Sequence, residues 1–522
     1  VVRVSSDAQD ELFRTGATGS SGSILIDSGA KLSATGSMML DATGTNTLNG
    51  SLDVTNASLA LGANRISVGD SDPRAGGLVL GSSLLSGVKP SELILSSGSD
   101  ISFFGTPTLN ATSLALHAGA LLGFSGQGSA TTISSDTVVI DNRNQATTLL
   151  SGDGQGGFAV NSKNLTLGEG QYAVSGFSGV NLSASNGILT QGNGQLKATE
   201  NLVLNAPFLV AGASANTVID ASGHSIQMTG TGSATPKLEA LGSRLSVTAD
   251  SIQSSMLIDL PSGSVSLDAK NGDLMLGAGS VIDASGRKVQ IGGSTVATDG
   301  GVIHLSAENG NVVLSQNSTL NLSGQNAGLL SVNVPKGAFN WQGTVLAKGV
   351  SKGGLFDLTV GSSDSLGSLG GLGTQLASAG FTDGIQLDAK GGDLNLGASD
   401  TLSARLISLA AEAGSIQIDG KLQSQGMNAA VDLVAANKIG LGANSSIQAS
   451  GTSAGGGTLV LDTVTLNPQN KEGIVVDAGA RIDVSSAEGL SNGSTLFRVT
   501  RSDGAVAIQG PLGSAIKGSS NT

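Results

Sequence analysis

Apolar and polar residues alternate along most of this chain with a period of two. In SVSLDAKNGDLMLGAG, from Ser264, the apolar residues Val265, Leu267 and Ala269 alternate with polar neighbours. Asn271 and Gly272 follow, and Leu274, Leu276 and Ala278 resume the alternation. That period predicts a strand with one buried face, and Asn-Gly predicts a turn between two such strands. The stretch GIQLDAKGGDLNLGA from Gly384 repeats it: Val265 matches Ile385, Leu267 matches Leu387, Asp268 matches Asp388, Gly272 matches Gly392 and Leu276 matches Leu396. Looser copies run through Ile303, Leu305, Ala307, Gly310, Val312 and Leu314, and through Ile407, Leu409, Ala411, Gly414, Ile416 and Ile418. The unit is φ-x-φ-x-A-x-x-G-x-φ-x-φ, with φ apolar.

A second phrase punctuates the chain: TVIDASG from Thr217, GSVIDASG from Gly279, TLNLSG from Thr319, SIQASG from Ser446 and GARIDVSS from Gly479. Each reads as a short strand running into a Ser or Gly corner. Neighbouring units recur at roughly 20 residues, the period of a solenoid with one coil per repeat. The expected fold class is all-β, a parallel β-helix of about 20-residue coils.

The alternation lapses between Asn326 and Phe381, which hold Pro335, the single tryptophan Trp341 and SLGSLGGLGTQLASAGF. There Leu366, Leu369, Leu372 and Leu376 are three or four apart, as on one face of a helix. The expected organisation is a shaft over 1–325, an irregular excursion over 326–382 with a short amphipathic helix packed on the solenoid, and a continued shaft over 383–522.

Composition fits thin coils. With 79 glycines, 9 prolines and 2% aromatic residues in 522, the interior has to be filled by Val, Ile, Leu and Ala. Gly supplies backbone angles barred to other residues, and Ser, Asn and Asp bond their own backbone at corners. Charged residues are only 12%, so the surface is mainly Ser, Thr, Asn and Gln. A net charge of −13 without a basic run argues against nucleic acid or anionic lipid as partner. No apolar run approaches the roughly 20 residues of a membrane span. Absence of cysteine removes disulfides, thiol catalysis and thiolate metal sites. The start, VVRVSSDAQD, leads to the expectation of a processed piece of a longer precursor, its export signal lying upstream.

Candidate chemistry is sparse. Asp268 and Lys270 share an outward face, as do Asp388 and Lys390, but some 120 residues, about six coils near 4.8 Å each, would separate the two pairs. They read as solvated ion pairs repeated with the coil. His117, His224 and His304 lie far apart in sequence, with His304 outward between Ile303 and Leu305. SGDGQGG at Ser151 and GDSD at Gly69 read as turns, and the former lacks the lysine and strand-to-helix setting of a phosphate loop. Asn-x-Ser/Thr triplets at Asn56, Asn110, Asn164 and Asn181 mark outward corners. Phe103, Phe104, Phe158, Phe177 and Phe381 read as aromatics stacked inside the coils. No catalytic, cofactor-binding or metal-ligating residue is predicted, and Trp341 is the one candidate contact residue.

The run GGLFDLTVGSSDSLGSLGGLGTQLASAGFTDGIQLDAKGGDLNLGASDTLSARLISLAAEAGSIQIDGKLQSQG, 353–426, resembles the shaft of filamentous-haemagglutinin-type large exoproteins, two-partner-secretion proteins of Gram-negative bacteria. In that family a Gly-aromatic strand, a Leu-rich helix, an Ala-Gly-Phe or Gly-Gly-Phe step and strand coils follow in this order. The resemblance implies a right-handed parallel β-helix, export through an outer-membrane two-partner-secretion transporter, and a role in adhesion, biofilm or surface fibres. The family's secretion-domain motifs are not matched, LNPQN at Leu466 being the nearest text, and no Arg-Gly-Asp triplet occurs. The expected function is therefore the non-enzymatic shaft of a secreted adhesin or extracellular fibre, self-associating end to end, with host or bacterial surface glycans as candidate ligands. The alternatives are a β-helix enzyme that cleaves polysaccharide and a passive stalk of a toxin-delivery exoprotein.

Overall fold

Short alternating strands stack edge to edge when each buries the same face as the one before, and this is what the chain builds. The computed structural model describes residues 1–6, 21–69, 74, 76–146, 151–232, 234–236, 240–451, 455–463, 473–487, 490–499, 501–502 and 505–519. The protein is nearly all β, and most of its strands pair in parallel, coil upon coil, as a β-solenoid, with antiparallel pairs such as Val2–Ser5 with Ser37–Asp41 and Lys288–Ile291 with Ser294–Ala297. Contacts divide it into two units: Val1–Leu260 with Gly279–Val281, and Pro261–Ala278 with Ile282–Thr522.

In the second unit one inward column runs Val265, Ile303, Leu330, Phe356, Ile385, Ile407, Val431 and Leu459 through successive registers. All eight are buried. Burying one such aliphatic side chain stabilises by about 1.5–3 kcal/mol, so each coil is held by its neighbours rather than by itself. The glycine of the repeat has a steric reason. A Cβ at Gly310 would collide with the Gly272 carbonyl oxygen, because the corners stack backbone on backbone.

The segment 326–382 differs from the irregular excursion expected of it. Strands Leu329–Val334, Phe339–Trp341, Thr344–Leu346 and Leu355–Val360 continue the ladder. Pro335 and Gly337 sit at a corner between two of these strands and mask an alternation that persists in Leu330, Val332 and Val334. Helical structure is confined to a 3₁₀ turn at Ser363–Leu366 and a helix at Leu369–Ala379. That helix begins at a cap, Ser368 Oγ accepting from Gly371 N at 3.0 Å, and ends at Gly380 with φ of 101°. Its buried side carries Leu369, Leu372 and Leu376. A Cβ at Gly373 would lie 2.8 Å from the Thr401 carbonyl oxygen, so glycine lets the helix lie close on strand Thr401–Ser403.

The first unit has longer strands. Thr108–His117, Ala130–Asp141, Gly156–Leu167 and Phe177–Thr190 pair in parallel, one after another. Inside, Phe103, Phe158 and Phe177 pack with ring centroids 5.0–6.5 Å apart, the interior aromatic stack that was expected. Phe104 is different: it is half-buried, stacks on Phe124 at 5.0 Å, and both rings lie under the Arg74 guanidinium. Among the described residues no helix is long and apolar enough to cross a membrane.

Candidate functional site

The long strands of the first unit switch buried face near their middles while pairing continues on either side, from Leu109 to Leu114 on one strand and from Ile133 to Val138 on the next, so that each turns within its length. Ser135 fixes one bend, its Oγ lying 2.8–3.0 Å from the carbonyl oxygens of Ala111, Thr112 and Thr137. On the next coil Ser162 Oγ donates to Ser183 O at 3.0 Å. A small hydroxyl side chain supplies one donor to the backbone acceptors near it, as it does at turns. Just ahead of the bend the register stacks Asn110, Ser134, Asn161, Ser183 and Asn205, one per coil.

That column lies in a groove of about 1060 Å³. Asn110 and Asn161 are exposed and Ser134 half-buried, and their side chains have no hydrogen-bond partner among the described residues. At the far end the column is bonded to its neighbours: Thr231 Oγ1 donates to Asn205 Oδ1 at 2.7 Å, and Ser183 Oγ to Asn181 Oδ1 at 3.0 Å. The charged lining residues are Lys89, Asp136 and Lys163, of which the last two pair at 2.7 Å. The near end is apolar, closed by Leu84 and Leu85 of the short helix Ser82–Gly87, by Val88, and by buried Leu80, Leu93 and Leu109. The sequence carries no fixed-period signal for this groove, because the Asn and Ser residues of the column are unequally spaced along the chain and meet only through register.

A second constellation is closed. Ser96, His117 and Asp141 occupy one column on three successive coils. His117 Nδ1 lies 2.6 Å from Asp141 Oδ1, and Arg143 Nε donates to Asp141 Oδ2 at 2.9 Å. Burial alone would raise the Asp141 carboxyl. The hydrogen bond and charge of His117, with those of Arg143, outweigh it and hold the group below the usual carboxylate range. Ser96 Oγ accepts from Asn144 Nδ2 at 2.8 Å, and among the described residues no hydrogen bond joins it to His117, so the three do not form a relay. The segment Asn142–Ala146 is tied down over the column by Asn142, which donates to Ala146 O and Gln171 O. Imidazole, carboxylate and guanidinium thus brace a coil edge. Sequence reading missed the pair because His117 and Asp141 meet only through register.

No protein-family model matches this chain, and no curated protein or solved structure matches it. The resemblance of 353–426 to haemagglutinin-type shafts rests on those residues alone.

The other sequence candidates fall on separate coils. Lys270 pairs with Asp268 at 2.5 Å, and Lys390 with Asp388 at 2.8 Å and Glu412 at 2.6 Å. The Asp268 column reaches Asp388 in four register steps rather than about six, through Ser306, Asn333 and Thr359, because the intervening coils are longer than 20 residues. His304 points outward as expected, 3.3 Å from Ser331 Oγ, which in turn donates to Asp357 Oδ2 at 3.2 Å. Here serine sits between histidine and carboxylate, an order in which the imidazole has no carboxylate to orient it. His224 lies at a corner of strand Asn216–Thr229. The glycines from Ser151 lie along the neighbouring coil, Gly154 N donating to Gly123 O at 3.0 Å. The GDSD and LNPQN stretches fall largely or wholly outside the described residues.

Trp341 takes the register position of inward-facing Leu314. Its ring packs 5.9 Å from Phe339 and 6.1 Å from Phe356, and its Nε1 donates to Gly343 O at 3.0 Å. Most of this ring is committed to packing. One acidic pair stands apart. Burial raises the Asp432 carboxyl, the charge of Asp462 adds to that, and Arg498, which pairs with Asp462 at 3.2 Å, opposes it. Among the described residues no group of three or more His, Asp or Glu is placed to hold a metal ion.

Proposed function

We propose that this protein is the non-enzymatic structural shaft of a secreted, cell-surface adhesin or extracellular fibre of a Gram-negative bacterium, of the filamentous-haemagglutinin type. The supporting observation is how the polar side chains are used. The inward columns are apolar, and several outward charged groups are engaged in local pairs, such as Lys390 with Asp388 and Glu412, and Lys270 with Asp268. The groove of the first unit is lined by a single ion pair, Asp136 with Lys163, and by no histidine among the described residues. Parallel coils joined through short corners lengthen a protein without enlarging its core, which suits a spacer at a cell surface.

The competing reading, a polysaccharide-cleaving β-helix, is favoured by one feature, the Asp432 and Asp462 pair with its raised carboxyl. The test is incubation of pure protein with polygalacturonate and alginate, assayed for new reducing ends and unsaturated products. No product is expected at any pH between 4 and 9. Product that disappears in Asp432→Asn would replace the shaft with the enzyme. End-to-end self-association is read from the same preparation by electron microscopy across a concentration series, where filaments are expected to lengthen with concentration.

A further inference from the structure

We propose that the groove along the bend of the first unit binds a linear, uncharged polysaccharide lying along the stack of coils, about one sugar ring to each coil. The inference rests on the reading of the protein as a surface shaft that does not cleave what it holds. Three features of the groove point to this occupant.

The first is spacing. Asn110, Ser134 and Asn161 follow one another by single register steps, and parallel strands stack about 4.8 Å apart. An extended chain of pyranose rings advances by a similar distance per ring. The second is chemistry. Carboxamide and hydroxyl groups both donate and accept, as sugar hydroxyls do, and these three make no bond within the described protein. In the free protein they are solvated, and a sugar exchanges for water without breaking an internal bond. The third is charge. Asp136 and Lys163 neutralise each other, leaving Lys89, so no array of cations is present for a sulfated or uronate chain. The apolar end, with half-buried Leu84 and Leu85, offers a surface for the C–H face of a terminal ring.

A peptide fits less well. The backbone groups of these strands are spent on the ladder between coils, which runs in the direction of the groove. No strand edge is open along it for a peptide to extend.

The test is calorimetric titration of the full chain with cellohexaose, mannohexaose and chitohexaose, the matching monosaccharides, and heparin. At least one hexasaccharide is expected to bind, its monosaccharide at least about tenfold more weakly. Asn110→Ala with Asn161→Ala is expected to weaken binding about tenfold, two hydrogen-bonding side chains being lost, with the circular dichroism and melting temperature unchanged. Thr112→Trp, which puts a bulky ring into the groove at an exposed position, is expected to abolish binding. Absence of binding by all three hexasaccharides overturns the proposal, as does binding by heparin alone, or binding unaffected by both variants. Chromatography of the recovered sugar separates the two readings. Shortened hexasaccharide defeats the non-enzymatic shaft, whereas intact sugar that never bound defeats the groove alone.

Discussion

The second unit turns between short strands, and the first turns also within long ones. At the corner that follows Ala269, and again after Ala307, a glycine lets backbone lie on backbone, and strands of three residues such as Leu274–Leu276 and Val312–Leu314 follow. In the first unit Ser135 and Ser162 hold bends inside strands of twelve residues, and side chains ahead of each bend line a groove. The two units also treat charge differently: Asp141 is buried against His117 and Arg143, whereas Lys390 stands on the surface between two carboxylates. Tight glycine corners stack backbone on backbone, and the same corner can be copied from coil to coil. A serine bend borders the groove, and its text is not copied.

The sharpest way to break this contrast is to put a side chain into a stacked corner. In Gly310→Val the new Cβ meets the carbonyl of Gly272, and the backbone has to move on two coils at once. A loss of about 4 kcal/mol is expected, the range of severe backbone and packing disruption. Chemical denaturation followed by circular dichroism measures it. A loss below about 1 kcal/mol would mean that the corners are looser than the stacked glycines indicate.

The buried charge of the first unit comes next. Asp141→Asn leaves Arg143 and His117 without their anion at a covered position, and removing one partner of a buried pair costs about 3 kcal/mol. The effect depends on pH, and its direction follows from the depressed carboxyl. The carboxylate stabilises the fold fully above the unfolded value of about 3.9 and ceases to do so as pH falls through the lower folded value. The difference between wild type and variant is therefore expected to close as the pH falls below about 4. Denaturation midpoints above and below that pH test it, and a gap that stays open at low pH would assign the loss to packing.

These sites differ in how far the sequence reveals them. The solenoid was legible because each coil states its own buried face, as Val265, Leu267 and Ala269 do, and the helix because Leu369, Leu372 and Leu376 share a side. The continued strands at Leu329–Val334 and Leu355–Val360 were hidden by Pro335 and Trp341, residues that break a pattern in text while occupying a corner and a half-buried position in register with inward Leu314. The groove and the His117–Asp141 pair were illegible for a common reason. Both are made across coils, by register, and the variable length of the corners determines which residues meet. Asn110 meets Ser134 and Ser134 meets Asn161, at intervals that no fixed repeat supplies.

The smallest expected effect sharpens the same comparison from the other side. Hydrogen bonds from Lys390, first to Asp388 and then to Glu412, raise its ammonium group above its ordinary value, so on geometry alone it resembles the buried cluster of the first unit. Its side chain is 35% exposed and Glu412 is 51% exposed, so water and salt screen both contacts. Exposed pairs of this kind contribute about 0.2–1 kcal/mol, and the side-chain entropy lost in holding a lysine between two acids offsets part of that. Lys390→Ala is expected to cost about 0.5 kcal/mol in low salt, and less at 1 M sodium chloride, where the Debye length falls to about 3 Å. A loss as large as that of Asp141→Asn, or one insensitive to salt, would mean that the repeated Asp-x-Lys phrase braces the coils. A small, salt-sensitive loss would leave it a by-product of repetition, with stability carried by the aliphatic columns beneath.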